Sequence, residues 1–175
     1  MADRTVESYT KEIPDIPEEL ERVLVYILNE ARDKVAAGEE LTPFTALAIK
    51  DKLFLESHPA DTIEGCFAAA EHTVHQANGA DAYGFCYDGY VEVDDRTLDA
   101  VIAEGGIPGG GSGHAIGYVY EVDSTGAVSF ESEPTYIGTA PNFMIHASAH
   151  AWPVEDVESA GETPDQIEGA PGAEE

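Results

Sequence analysis

Positive charge is what this chain lacks. Against 35 Asp and Glu it sets 8 Lys and Arg, a formal net charge of -27, and no Lys or Arg follows Arg96. Residues 1–96 carry 21 acids and 8 bases, and residues 97–175 carry 14 acids with no base. Nucleic acid and anionic membrane surfaces are bound through Lys and Arg that displace counterions. Neither is expected as a partner. The acidity has two positive readings. A high-salt cytoplasm favours acidic, lysine-poor surfaces, because salt screens their self-repulsion. Alternatively, the field steers a basic protein toward the chain. The charge is spread along the sequence and not gathered in one block, which favours the first.

Cysteine is scarce too. Cys66 and Cys86 form no C-x-x-C pair, and a chain of 175 residues with 43% apolar content can build a core without staples. A free, reduced pair is expected, although a helix and a neighbouring strand brought together would allow a bridge. No apolar run reaches the roughly 18 residues that a membrane span needs. The first residues, rich in charge, contain no apolar stretch of the signal-peptide kind. The expected location is cytoplasmic.

What is present is a sequence of periodic segments. Residues 1–14 read as a flexible leader. From Glu18 to Ala37, Leu20, Val23, Leu24, Ile27, Leu28, Ala31 and Val35 recur at helical spacing, with acids in the first turn, Lys34 near the end and Gly38 as the stop. Asp15 stands near the start as a cap. Two short apolar runs around Lys50-Asp51-Lys52 predict a hairpin. Asp61 and Glu64 make a capping-box pair ahead of a second helix, whose face is Ile63, Cys66, Phe67, Ala70, Val74 and Ala77. Beyond Gly79 the period becomes two. Tyr83, Phe85 and Tyr87 alternate with Gly84 and Cys86, Asp88-Gly89 marks a tight turn or bulge, and strands follow over Leu98–Glu104, His114–Val122 and Val128–Glu131. Pro134 and Pro141 bound a short extended piece, and a last strand or short helix is expected over Asn142–Trp152.

The expected fold is therefore α+β: a mostly antiparallel β-sheet of about five to six strands, with two amphipathic helices packed on one face, in the order α-β-β-α-β-β-β-β. Residues 15–152 form a single domain. Residues 153–175, mostly Glu, Asp, Gly, Pro and Ala with Ile167 and two valines the only large apolar side chains, cannot bury enough surface to offset their ordering entropy and read as an acidic disordered tail.

Motifs that carry chemistry are few. The loop Gly105–Gly113 has neither the following helix nor the Lys of a phosphate cradle, and reads as a flexible strand connection. His72 and His75 fall on the solvent side of the second helix. His146 and His150 are four apart and share a face in helix or strand, which makes them the candidate metal ligands, but no cysteine pair or H-E-x-x-H motif supports them. Cys86 with His114 would form a thiol–imidazole pair if their strands were neighbours. No cofactor is implied. The distinctive feature is the tyrosine set Tyr83, Tyr87, Tyr90, Tyr118 and Tyr120, since aromatic anchors dominate interface energetics. The expectation that follows is a non-catalytic protein-binding or scaffold domain. It would use a tyrosine-rich sheet face or edge, toward a protein partner or a second copy. The alternative is a small enzyme or a metal or small-molecule binder at Cys86/His114 or His146/His150.

Overall fold

All seven residues of the first apolar stripe are buried, on a helix α1 that spans Glu18–Ala36. Its end is held as the sequence implies. Gly38 takes φ 82, the Gly38 N–H donates to Val35 O at 3.0 Å and the Glu39 N–H to Lys34 O at 3.0 Å, a Schellman closure that glycine alone makes without strain. Its start differs: Pro17 is the N-cap, with no side-chain cap from Asp15.

The structure, a computed structural model, describes residues 2–5 by their backbone and residues 15–147 in full. Strand β1 is Ala2–Thr5, and after α1 come β2 (Phe44–Ile49), β3 (Lys52–Ser57), helix α2 (Ile63–Gln76), β4 (Ala82–Val93), β5 (Arg96–Gly106), β6 (Gly113–Val122), β7 (Val128–Phe130) and β8 (Thr135–Ala140). From residue 15 onward this is the expected α+β order with one strand more, because the piece between the two prolines becomes β8. Within the expected leader, Ala2–Thr5 pairs in parallel with Gly89–Glu92. The expected tail, 153–175, lies outside the described residues. Of Asn142–Trp152, residues 143–146 form turns and 148–152 lie outside the described residues.

The sheet runs β3-β2-β4-β5-β6-β7, every pair on that path being antiparallel. One edge of β4 is shared by β2 and, further along, β1, while the outer edge of β6 is shared by β8 and β7. The turn expected at Asp88-Gly89 does not form; β4 runs straight through it. The chain reverses instead at Asp94-Asp95, both left-handed at φ 50 and 63, the backbone of a two-residue type I′ hairpin. The β2–β3 hairpin turns at Lys50-Asp51 as expected.

The two helices do not share a face. Alternation along β4 separates Ala82, Gly84 and Cys86, which lie with α1, from Phe85 and Tyr87, which lie with α2. The same division runs through β5 (Val101 and Ala103 against Ala100 and Ile102) and β6 (Ile116, Tyr118 and Tyr120 against Ala115 and Val119). The sheet is therefore the middle of three layers. Small residues explain the choice. A Cβ on Gly84 would lie 2.6 Å from Ile27 Cδ1 and 3.0 Å from Val23 Cγ1, so any larger residue there would have to displace these side chains of α1. On the other face the rings of Phe85 and Tyr87 meet Phe67 of α2 at 4.9 and 5.3 Å. Thr62 caps α2 through its Oγ1, which accepts the Gly65 N–H at 3.1 Å, in place of the expected Asp61–Glu64 box.

Candidate functional site

The five tyrosines are dispersed by this layering. Tyr83 and Tyr87 are buried on the α2 face, 1% and 0% exposed; Tyr118 and Tyr120 are buried on the α1 face, and Tyr90 is half-buried. They make no common surface. Each buried ring instead finds a polar or cationic partner for its tip or face. Tyr83 donates to Pro141 O at 3.2 Å and accepts the Phe143 N–H at 2.9 Å. Tyr87 donates to the carboxylate of Glu104 at 2.5 Å. Tyr120 donates to Asp88 at 2.7 Å, and the Arg32 guanidinium sits 4.9 Å from the centre of the Tyr118 ring. Burial pushes the Tyr83 hydroxyl well above the ordinary phenol range; it does the same to Tyr120, whose anion the Asp88 carboxylate further opposes.

The thiol–imidazole pair does not form. Cys86 is fully buried between β4 and α1, its Sγ 3.7 Å from Ile27 O, and burial pushes its thiol far above the ordinary range. His114 shares that face but lies two strands away and two residues along, roughly 12 Å by strand spacing and rise. Its Nδ1 is 3.1 Å from the Tyr136 hydroxyl, and burial lowers its pKa. Cys66 and Cys86 are both free and lie on opposite faces of the sheet, so no bridge can join them. His146 is exposed and His150 lies outside the described residues. Among the described residues no group of three or more His, Cys, Asp or Glu is placed to hold a metal ion, and no helix is long and apolar enough to cross a membrane. His72 and His75 are exposed, as their helical angles predict.

Sequence reasoning missed several buried polar groups, of which Glu104 and Asn142 sit nearest the sheet centre and the glycine loop. Glu104 is 3% exposed in the centre of the sheet, with Tyr87 as its donor. Asn142, 8% exposed, spans the glycine loop: its Nδ2 donates to Ile107 O and to Gly111 O, each at 2.9 Å, and its Oδ1 accepts the Met144 N–H at 2.9 Å. The Gly109 N–H adds a bond to Met144 O at 3.0 Å. The loop expected to be flexible is strapped. Gly106 is part of the strap, since a Cβ there would lie 2.3 Å from Asn142 Oδ1.

The feature left open to a partner is the outer edge of β3. It pairs only with β2, and among the described residues no strand covers its far side. Phe54 and Leu55, which point to opposite faces, are 49% and 50% exposed. The hairpin Phe44–Ser57 carries Lys50, Asp51, Lys52 and Glu56, and is thus neutral in a chain of net charge -27. Beside it, between α1 and the hairpin, runs a groove of about 800 Å3 lined by Glu18, Glu21, Val25, Tyr26, Lys52 and Leu53 among others, so the acids of the first turn of α1 border the neutral hairpin. A signal for this edge exists in the sequence: Leu53-Phe54-Leu55 is an unbroken apolar run where a one-face strand would alternate.

Comparison with protein-family models, with curated proteins and with solved structures finds no match.

Proposed function

We propose that this chain is a protein-binding domain whose docking element is the outer edge of β3. The observation that carries the reading is the pairing of an open backbone edge with two exposed large apolar side chains on a locally neutral hairpin. Native proteins normally blunt such an edge with charge, proline or a bulge, because it templates the addition of another strand. Lys52 and Glu56 flank this one without interrupting it. Strand addition draws affinity from main-chain hydrogen bonds and specificity from alternate side chains. Neutrality matters as well, since the hairpin itself adds no net repulsion to an approaching partner. Catalysis at Cys86 has no support in a thiol held neutral inside the core.

Site-specific photocrosslinking in the source cell tests the reading. A benzophenone side chain replacing Phe54 or Leu55 is expected to capture a protein, and the same group at Val122, an exposed apolar position on the inner strand β6, where Val122 pairs with Val128, is not. Equal or greater capture at Val122 refutes the assignment.

A further inference from the structure

We propose that the strand added to β3 is the β3 of a second copy of this chain, paired antiparallel about Phe54. The inference rests on the preceding reading and specifies its partner and register.

Backbone direction sets which registers are open. The His58 N–H donates to Pro43 O at 2.8 Å, and the β2–β3 pairing continues in step from there through Thr45–Glu56, Leu47–Phe54 and Ile49–Lys52. Alternate residues of an antiparallel strand direct their N–H and C=O to the same side. Lys52, Phe54 and Glu56 therefore bond inward to β2, while Leu53, Leu55 and Ser57 present theirs outward. A twofold pairing must set outward residues opposite outward residues. Centring it on Phe54 does so: Leu53 meets Leu55 of the second copy, and Leu55 meets its Leu53, which makes four inter-chain main-chain bonds.

The side chains select this register over its neighbours. The strand reads Lys52-Leu53-Phe54-Leu55-Glu56, with opposite charges at the two ends of an apolar triplet. Antiparallel pairing about Phe54 places each Lys52 opposite Glu56 of the other copy and the two Phe54 rings face to face. Both are non-hydrogen-bonded pairs, in which side chains approach most closely. Shifting the centre to Leu53 sets Lys52 against Phe54 and Leu55 against Asp51. Shifting it to Leu55 sets Phe54 against Glu56. Each alternative puts a charge on an apolar side chain. On the α1 face, the Leu55 of the second copy also comes to rest beside Leu53, at the groove that Tyr26 and Val25 line. Two chains of net charge -27 repel elsewhere, so the neutral hairpin is where they can meet, and association strengthens as salt screens the rest.

The test is sedimentation of the full chain over a range of concentration and NaCl, with charge reversal. A dimer that strengthens with salt is expected. Lys52→Glu or Glu56→Lys alone sets like charges opposite each other at two symmetry-related places, and is expected to weaken the dimer about tenfold. The double variant K52E/E56K restores it. Phe54→Cys is expected to oxidise to a disulfide-linked dimer, since the paired Cα atoms would be about 4.5 Å apart and within disulfide reach; Val122→Cys is not. Failure of the double variant to recover, or equal crosslinking at 122, overturns the register. A monomer whose Leu53 and Leu55 amides exchange freely overturns self-pairing and leaves the edge open to a different chain. A monomer in which those amides are protected means the chain covers its own edge, and overturns both readings.

Discussion

Replacing Asn142 measures how firmly the glycine loop is tied to the fold. Its side chain makes three hydrogen bonds at 2.9 Å, to Ile107 O, Gly111 O and the Met144 N–H, from a position 8% exposed. A typical bond of this kind is worth about 1 kcal/mol net. Asn142→Ala is therefore expected to cost about 3 kcal/mol, which at this chain length lowers Tm by roughly 6–12 °C. Urea denaturation followed by far-ultraviolet circular dichroism checks the free energy. Amide exchange should quicken at Gly109 and Gly110, the N–H groups bonded within the strap. Asn142→Asp is the sharper variant. One carboxylate oxygen keeps the Met144 N–H, but the other faces two carbonyl oxygens in place of an amide donor. Its folded pKa is then raised above the unfolded value of about 3.9. Its penalty should be full at pH 7 and shrink as pH falls through that raised pKa, where the protonated acid regains one donor. An alanine variant within about 0.5 kcal/mol of the parent, or an aspartate variant as stable as the parent at pH 7, would show that the strap is not held by Asn142.

Three further outcomes are expected. Burial raises the Asp88 pKa, an effect the Tyr120 hydroxyl opposes and Asp99 adds to; the folded state thus binds the extra proton, and stability from this group falls as pH rises from the unfolded value toward the folded one. Asp88→Asn keeps an acceptor for Tyr120 and should be as stable as the parent or more so at pH 7, with the gain vanishing in melts near pH 4. His58, buried with its Nε2 2.9 Å from Thr45 Oγ1, has its pKa lowered by burial, against a smaller raising effect of Glu56. Its contribution is present above the unfolded pKa of about 6.5 and is lost as pH falls toward the lower folded value, so melts of His58→Gln and parent should converge between pH 7 and pH 5. Added NaCl should raise Tm, because the ion pairs Arg22–Glu18 and Lys34–Glu39 near the two ends of α1 are exposed and worth little, whereas the self-repulsion of a -27 chain is screened; a flat melting temperature from dilute buffer to 2 M NaCl refutes that balance.

The elements that could be read from the sequence are those whose information is local. The α1 stripe, its glycine stop, the 44–57 hairpin and the apolar face of α2 are all set by periodicity and turn chemistry within about twenty residues. The misplaced turn at Asp88-Gly89 shows the limit of that locality. Asp-Gly is a strong turn signal, but Asp94-Asp95 adopts the left-handed pair instead, and the long β4–β5 register, Tyr83–Gly106 to Val93–Arg96, makes Asp88 a sheet residue bonded to Tyr120. The tyrosines misled for a related reason. Strands buried on both faces carry apolar residues at every position, so period two cannot say which face meets which helix. Gly84 and Cys86 read as the plain side of β4 beside Tyr83 and Tyr87, yet their small size is what admits α1.

The amino-acid sequence by itself determined the acidity, the α+β class, the order of elements and nearly every buried helix position, because charge and periodicity do not depend on distant partners. Only the tertiary structure decided on which face α2 packs, that Asn142 ties down the glycine loop from some thirty residues away, and that among the described residues β3 ends the sheet with Phe54 and Leu55 exposed. Each of these depends on strand order and layer assignment. They are settled by which surfaces fit together across the sheet, and no stretch of neighbouring residues encodes them.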